Sequence, residues 1–349
     1  MTKFFSTVAV CCVCMSVLLL GACKKKPDEV ETKEGMLGRL LHNVPSYLYK
    51  SRTYTVTASG ITSPTEGVGY TWKADYFAPA SSDAQSYTFR TPDEVGAYTV
   101  SLSASHVDYY DVPTSQVVTV IDSLFFNSLT GVVEGTNAIT DPRDGAVYHT
   151  RAYGDLEWFV HNLDWGGAGN AYGKVEALST PFGRLYSWNE AVSGMAGAET
   201  PGVAATGLGQ GPQGVCPPGW SIPTNEDWVD LATVVNGGVP LSFFDNWDGV
   251  ADPLCAYAKL NEDHVWPYSP RNNKSNTAAW NGLPGGNGEN NGNHFRNLGS
   301  YGFWLSSSEA DAENGYYRYI NYDLNRFPYH HTDKNSFGAS VRCVRMISR

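Results

Sequence analysis

The residues best suited to chemistry are concentrated at positions 214–228, where one cysteine, two tryptophans, three prolines and two carboxylates occur within fifteen residues. Such a density is unusual for a loop, in which small and polar residues dominate. A cysteine beside carboxylates can act as a nucleophile or a metal ligand when its thiol ionises. A second cysteine, Cys343, lies in the C-terminal segment 340–345. In an exported chain, two such cysteines favour a cross-link that closes a domain rather than an active site.

Other catalytic signatures are missing from the sequence. The six histidines from position 149 onward show neither the H-x-x-x-H nor the H-E-x-x-H spacing of metal sites. These histidines are His149, His161, His264, His294, His330 and His331. The chain also has no G-x-S-x-G elbow and no phosphate-binding loop. We therefore expect a protein that is not an enzyme and that carries no cofactor.

A weak calcium candidate lies in the Gly/Asn-rich loop 284–294. Asn287, Glu289 and Asn290 offer oxygen ligands of the kind that calcium prefers. Only Glu289 is charged, however, and calcium sites usually need several carboxylates. The alternative is a long loop whose polar groups satisfy its own backbone.

The segment 316–331 is rich in aromatic residues and alternates in the manner of a β-hairpin, so half of its side chains should point away from the core. Tyrosine, tryptophan and arginine are frequent anchors of recognition surfaces. The sequence thus predicts a binding face with the following members: Trp165, Trp247, Trp266, Tyr317, Tyr319, Arg326, Phe327, Tyr329 and His330. Ordinary strand packing with exposed loop aromatics is the alternative.

Two helices should position these segments. Thr224 is suited to cap a helix over residues 225–235, and Asp227, three residues later, completes a near capping box. A second, short helix is predicted over 187–192. Tryptophans in such fixed positions serve packing more often than binding. Those predicted to fill the core are Trp158, Trp188, Trp220, Trp228 and Trp304.

The first residues predict export. One lysine precedes an apolar run that ends at Leu20, which indicates a signal peptide over residues 1–22. The sequence Leu20-Gly21-Ala22-Cys23 resembles the lipobox of bacterial lipoproteins, in which the cysteine is lipidated. Plain secretory cleavage is one alternative; a membrane anchor is another, but it needs a longer run. We expect an outer-membrane lipoprotein held through Cys23, on the cell surface or on the periplasmic face.

Residues 23–35 then form a charged tether that cannot bury a core. The net charge of −11 argues against a nucleic-acid partner. Only 17% of residues are charged and 36 are glycine, which favours a β-rich, loop-rich protein. The length indicates two domains, which we place at 36–124 and 141–349 with a linker over 125–140.

The first domain shows four alternating segments, near residues 54–58, 86–90, 97–104 and 115–121. Their spacing predicts an all-β sandwich with Trp72 in its core. The segment Glu94-Val95-Gly96-Ala97-Tyr98-Thr99-Val100-Ser101-Leu102 resembles that of PKD-like and other immunoglobulin-like modules. We expect this domain to act as a spacer; a ligand-binding role is the alternative.

The second domain carries seven motifs in a fixed order, among them Gly183-Arg184-Leu185-Tyr186-Ser187-Trp188-Asn189-Glu190-Ala191, the Cys216 segment, Trp280-Asn281-Gly282 and Gly302-Phe303-Trp304-Leu305-Ser306. This series resembles the Fibrobacter succinogenes major paralogous domain, found in lipoproteins and surface proteins of Bacteroidetes-type bacteria. That family in turn is similar to the C-type-lectin-like and formylglycine-generating-enzyme folds. The resemblance implies an α+β domain whose last strand returns to its start.

The resemblance also implies that Cys216 pairs with Cys343, which would stabilise the domain by about 4 kcal/mol in the chain-entropy account. Cys255 is left over in apolar surroundings, and we expect a buried free thiol. Formylglycine-generating enzymes need a reactive cysteine pair, so their activity does not carry over to this chain. The calcium-dependent lectin motifs are also missing, since Trp280-Asn281-Gly282 lacks the final acid.

Two functional hypotheses follow. The first is a recognition or adhesion module that binds a glycan or a protein partner through the loops at 240–275, 284–294 and 325–332. The second is a structural subunit of an envelope or fimbrial assembly.

Overall fold

Alternating apolar residues build the N-terminal module as eight strands. The computed structural model describes residues 32–198, 206–289 and 292–347. The strands of this module are β1 (Leu37–His42), β2 (Tyr47–Tyr49), β3 (Thr53–Ser63), β4 (Gly69–Ala74), β5 (Ser81–Ser82), β6 (Ser86–Arg90), β7 (Gly96–His106) and β8 (Tyr109–Ile121). All four predicted strands are present, as parts of β3, β6, β7 and β8.

These strands form two sheets that enclose one core. The sheets run in the orders β1-β3-β6 and β2-β8-β7-β4-β5, with antiparallel pairs except between β2 and β8. Trp72 lies fully buried between them, as predicted, and its indole N–H donates to the carbonyl of Ala84 at 3.0 Å.

The predicted linker over 125–140 is wrong, because this segment is part of the second module. It forms helix α1 (Phe125–Ser128) and strands β9 (Leu129–Thr130) and β10 (Asn137–Thr140). Phe125 and Leu129 are apolar and become buried against the second module, so they cannot remain in a solvated linker. The same cluster contains Ile121, the last residue of β8, which joins the two modules.

The second module continues with short strands and helices. Its further strands are β11 (Val147–Tyr153), β12 (Leu156–Phe159), β13 (Tyr186–Ser187), β14 (Lys259–Leu260), β15 (Asp263–His264), β16 (Asn287–Glu289), β17 (His294–Arg296), β18 (Tyr301–Glu309), β19 (Asn314–Asn321), β20 (Tyr329–Asp333), β21 (Phe337–Ala339) and β22 (Val344–Met346). Its further helices are α2 (Ser179–Phe182), α3 (Trp188–Ser193), α4 (Asn225–Val235) and α5 (Ala251–Leu254). Two 3-10 turns cover Tyr172–Lys174 and Glu176–Leu178.

Four sheets hold the second module together, in the orders β10-β11-β12-β22, β13-β21-β16-β17, β15-β14-β9 and β18-β19-β20. The last strand, β22, pairs with β12 near the start of the module, as the resemblance implied. The end of the second module therefore lies beside its beginning. In both modules, strands contain more residues than helices do.

Both predicted helices are confirmed, and each begins with a full capping box. In α4, the Thr224 hydroxyl accepts from the backbone N–H of Asp227, and the Asp227 carboxylate accepts from that of Thr224. Ser187 and Glu190 do the same for α3. These reciprocal bonds satisfy backbone donors that would otherwise lack partners at a helix start.

The core of the second module is dominated by tryptophan. The five predicted core tryptophans are all buried, with at most 3% of their surface exposed. Cys216 and Cys343 form the expected disulfide, with 5.8 Å between their Cα atoms. Cys255 is free and buried, as expected, and its burial raises the pKa of the thiol.

The predicted signal peptide, Cys23 and most of the tether lie outside the described residues. Within the described ranges, no helix combines the length and apolar character needed to cross a bilayer.

Candidate functional site

The polar residues of the sequence motifs meet in one buried network. The Arg342 guanidinium donates to the Asn162 side-chain oxygen at 2.9 Å and to the Asn281 carbonyl at 2.8 Å, and it also reaches the Trp280 carbonyl. The Trp304 indole donates to the same oxygen of Asn162 at 2.9 Å. These motif residues therefore connect distant segments of the second module through buried hydrogen bonds.

Three members of the predicted binding face are buried, so the prediction is wrong for Trp247, Trp266 and Phe327. The indole N–H of Trp247 donates to the carbonyl of Ser242, and that of Trp266 donates to the carbonyl of Gly282. The Phe327 ring fills the space beside core tryptophans. These side chains lie in the core because burying large rings against the Trp-rich centre removes more apolar surface from water than displaying them.

Trp165 is half-buried and packs against the core beside the disulfide. The Arg143 guanidinium covers its ring at 4.1 Å, and Asp141 holds that guanidinium through an ion pair of 2.6 Å. One face of Trp165 is therefore already occupied.

The predicted hairpin exists as β19 and β20, but its side chains divide between two faces of the sheet. Tyr317 and His330 share one face, with their ring centroids 5.9 Å apart. Tyr317 stacks on Phe337 at 4.9 Å and is half-buried, which raises its pKa to about 12. Tyr329 belongs to the opposite face.

That opposite face displays an aromatic platform made of Phe244, Tyr316 and Tyr329, with His331 at its edge. The Phe244 ring lies 5.3 Å from that of Tyr329 and 6.2 Å from that of Tyr316. Phe244 is 60% exposed, whereas the two tyrosines are half-buried. The three rings pack edge to face, with their planes 64–80° apart, and Phe244 of the loop is the most exposed of them.

Arg318 lies beneath this platform and holds its parts together. It is fully buried, with its guanidinium 3.1 Å from the centre of the Trp247 ring and 4.4 Å from that of Phe243. It donates to the carbonyls of Asp245 at 3.0 Å and Phe327 at 2.6 Å, and to that of Phe243. Burial lowers the pKa of Arg318 to about 8. The arginine thus fastens the loop that carries Phe244 onto the segment that carries Tyr329.

A shallow hollow of about 200 Å³ lies at the same junction of loop and hairpin. Tyr319 and Arg326, both predicted members of the face, line it together with Asn246 and Asn321. Arg326 is exposed and forms an ion pair with Asp248. The hollow combines one aromatic ring with amide and guanidinium donors.

The weak calcium candidates make contacts with other protein groups. Asn287 is buried, and its side-chain oxygen accepts from Asn297 at 2.7 Å. Glu289 pairs with Arg296 at 3.0 Å. Asn290 lies outside the described residues. Among the described residues, no group of three or more His, Cys, Asp or Glu side chains is arranged to hold a metal ion.

The profile of the Fibrobacter succinogenes major domain matches residues 151–345, more than half of the chain. The chain belongs to this family. A comparison with curated proteins finds no match.

The Fibrobacter succinogenes major domain includes the disulfide, the buried network and the aromatic platform, but not the N-terminal module. Phe244 and Tyr316 were missed in the sequence. A signal for Phe244 was available, because two adjacent phenylalanines directly precede Asp245 in the loop between α4 and α5. Tyr316 stands out only once its face of β19 is known.

Proposed function

We propose that this protein is a non-enzymatic recognition module and that the aromatic platform binds a glycan. The platform is the observation that carries the proposal. Phe244 is exposed, Tyr316 and Tyr329 lie half-buried beside it, and Arg318 ties the loop of Phe244 to the segment of Tyr329. The apolar C–H faces of sugar rings pack on flat aromatic faces, and tyrosine loses little conformational entropy on binding.

The hollow supports the same proposal. Asn246, Asn321 and Arg326 supply hydrogen-bond donors and acceptors beside the Tyr319 ring. Sugar hydroxyls need such planar polar partners, while their ring faces need an aromatic neighbour. Tyr319 and Asn321 project from the face of β19 opposite to that of Tyr316, so the hollow is a further candidate contact at the hairpin, separate from the platform.

We infer that the N-terminal module is immunoglobulin-like, which its two sheets around Trp72 support. We infer that the second module is related to the C-type-lectin-like fold, which the pairing of β22 with β12 supports.

The platform predicts a specific loss of binding. Phe244→Ala combined with Tyr329→Ala should weaken glycan binding at least tenfold, because central aromatic anchors carry most of the energy of such sites. The measurement is a glycan array with the purified full chain, followed by titration of the glycans that bind.

Tyr268→Ala is the matched control, because Tyr268 is 76% exposed and has no part in the platform. It should bind as the parent chain does. Equal binding by parent and double variant, with both folded by circular dichroism, would contradict the glycan proposal.

A second candidate function is a structural subunit of an envelope or fimbrial assembly. Strand β20 is a sheet edge and, among the described residues, pairs with β19 alone. An exposed edge can accept a strand from another chain. Gentle detergent extraction should then recover a stoichiometric protein partner, whereas a lone monomer would count against this function.

We also propose that Cys23 carries a lipid that holds the protein at the outer membrane. The sequence Leu20-Gly21-Ala22-Cys23 supports it. Cys23→Ala should move the protein from the membrane to the soluble fraction, since one cysteine carries the anchor. Immunoblots of cell fractions measure this, with Cys255→Ala as the control that should stay in the membrane; unchanged fractionation of Cys23→Ala refutes the anchor.

A further inference from the structure

A second, more enclosed cavity of about 140 Å³ lies beside the first turn of α3, away from the residues that build the platform. Its floor consists of Gly288 in β16 and Gly338 in β21, which lie directly opposite each other in the sheet. A Cβ atom added at Gly338 would meet the Gly288 Cα and the Leu185 Cβ at 3.6 Å, an ordinary contact distance. The paired glycines therefore create the space, and a methyl group there would reduce it without a clash.

The walls of this cavity combine apolar and polar groups. Leu185 and Phe295 provide the apolar sides, and Asn170 and Asn335 provide carboxamides. Among the described residues, Glu190 is the one charged member of the lining. The neighbouring Glu289 and Arg296 form an ion pair at 3.0 Å, so their opposite charges largely cancel.

Glu190 is held in place by the backbone. One carboxylate oxygen accepts from the N–H of Ser187 at 3.0 Å, and the other accepts from that of Gly197 at 2.9 Å. A carboxylate has about four acceptor positions, so two more are available to a ligand. No lysine or arginine within the described ranges forms an ion pair with Glu190.

We propose that this cavity binds the ammonium end of a small alkylamine. The ammonium group would donate to Glu190 and to the carboxamide oxygen of Asn170, and the alkyl stem would pack against Leu185 and Phe295. A cavity of about 150 Å³ holds a molecule of the size of benzene, so about six heavy atoms fit here. This size suits a free amine or a lysine side chain of a protein partner, and both present the same chemistry.

The test uses the full chain and n-pentylamine as the probe, with n-pentanol as the neutral probe of the same shape. Ligand-observed NMR titration should show binding of pentylamine at least tenfold tighter than that of pentanol, because a hydrogen bond to a charged group is worth that much. A peptide with one lysine, compared with its norleucine analogue, distinguishes a protein side chain from a free amine as the source.

Two variants locate the site. Glu190→Gln keeps an acceptor for the N–H of Ser187 in the capping box, loses the one for the N–H of Gly197, and should weaken pentylamine binding roughly tenfold. Gly338→Ala reduces the space at the floor and should weaken binding at least tenfold. Gly35→Ala is the matched control, because Gly35 has an ordinary backbone conformation and no atom within 4 Å of an added Cβ.

The outcomes are distinct from those of the glycan test. The Phe244→Ala and Tyr329→Ala double variant should keep full amine binding. Equal binding of pentylamine and pentanol, no binding of pentylamine, or unchanged binding by Gly338→Ala would each overturn the proposal. If neither the lysine peptide nor its analogue binds while pentylamine does, the ligand is a free amine.

Discussion

Arg342→Met is expected to lower the free energy of unfolding of the second module by roughly 3 kcal/mol or more. Arg342 is 1% exposed and lies 3.7 Å above the Trp280 ring. Its removal leaves the carbonyls of Trp280 and Asn281 and the side-chain oxygen of Asn162 without this donor. Each buried acceptor that loses its partner costs about 1–3 kcal/mol.

An opposing effect must be weighed. Burial lowers the pKa of Arg342 to about 9, which shows that the charge is desolvated in the fold. Methionine would relieve that desolvation. We expect the loss to be larger, because the guanidinium serves several acceptors at once and connects three distant segments of the chain.

The free energy of unfolding is measured by urea titration with tryptophan fluorescence as the signal, since nine of the ten tryptophans lie in the second module. Arg326→Met is the matched control, because Arg326 is exposed and its ion pair with Asp248 faces solvent. It should change the free energy of unfolding by no more than about 0.5 kcal/mol. Equal stability of Arg342→Met and the parent chain would show that desolvation outweighs the lost hydrogen bonds.

Loss of the disulfide should lower the free energy of unfolding more than any single substitution at an exposed residue. Cys216→Ala combined with Cys343→Ala is expected to lower the free energy of unfolding by about 4 kcal/mol, because the bond closes a loop with a sequence separation of 127 residues. Since both cysteines are fully buried, a reducing agent should act on the folded parent only after the module opens.

The same unfolding experiment measures the double variant. Cys255→Ala controls for the loss of a buried cysteine side chain and should cost about 1 kcal/mol. A double variant no less stable than Cys255→Ala would contradict a stabilising role for the cross-link.

The helices could be predicted because their signals are local. Thr224 and Asp227 are three residues apart, as are Ser187 and Glu190, and each pair satisfies the backbone of its own first turn. The strands of the N-terminal module could also be predicted, because the alternation of apolar and polar residues along a strand indicates which of its faces is buried.

The binding face was harder to predict because aromatic residues serve both cores and surfaces. Trp247 and Phe244 belong to the same loop, yet the first is buried and the second is 60% exposed. The hydrogen bonds from Arg318 to the carbonyls of Phe243 and Asp245 hold this loop against the sheet, with Trp247 buried and Phe244 exposed. Those contacts span more than seventy residues of sequence.

The family, the disulfide pairing that it implies, the capped helices and the tryptophan-rich core could be predicted from residue types alone. Each depends on residue types in order or within one turn of chain. The folded structure was needed to show that residues 125–140 belong to the second module, which rings are exposed, and that Gly288 and Gly338 lie opposite each other at the floor of a cavity. Burial and cavity shape depend on which distant segments pack together, and a local pattern does not contain that information.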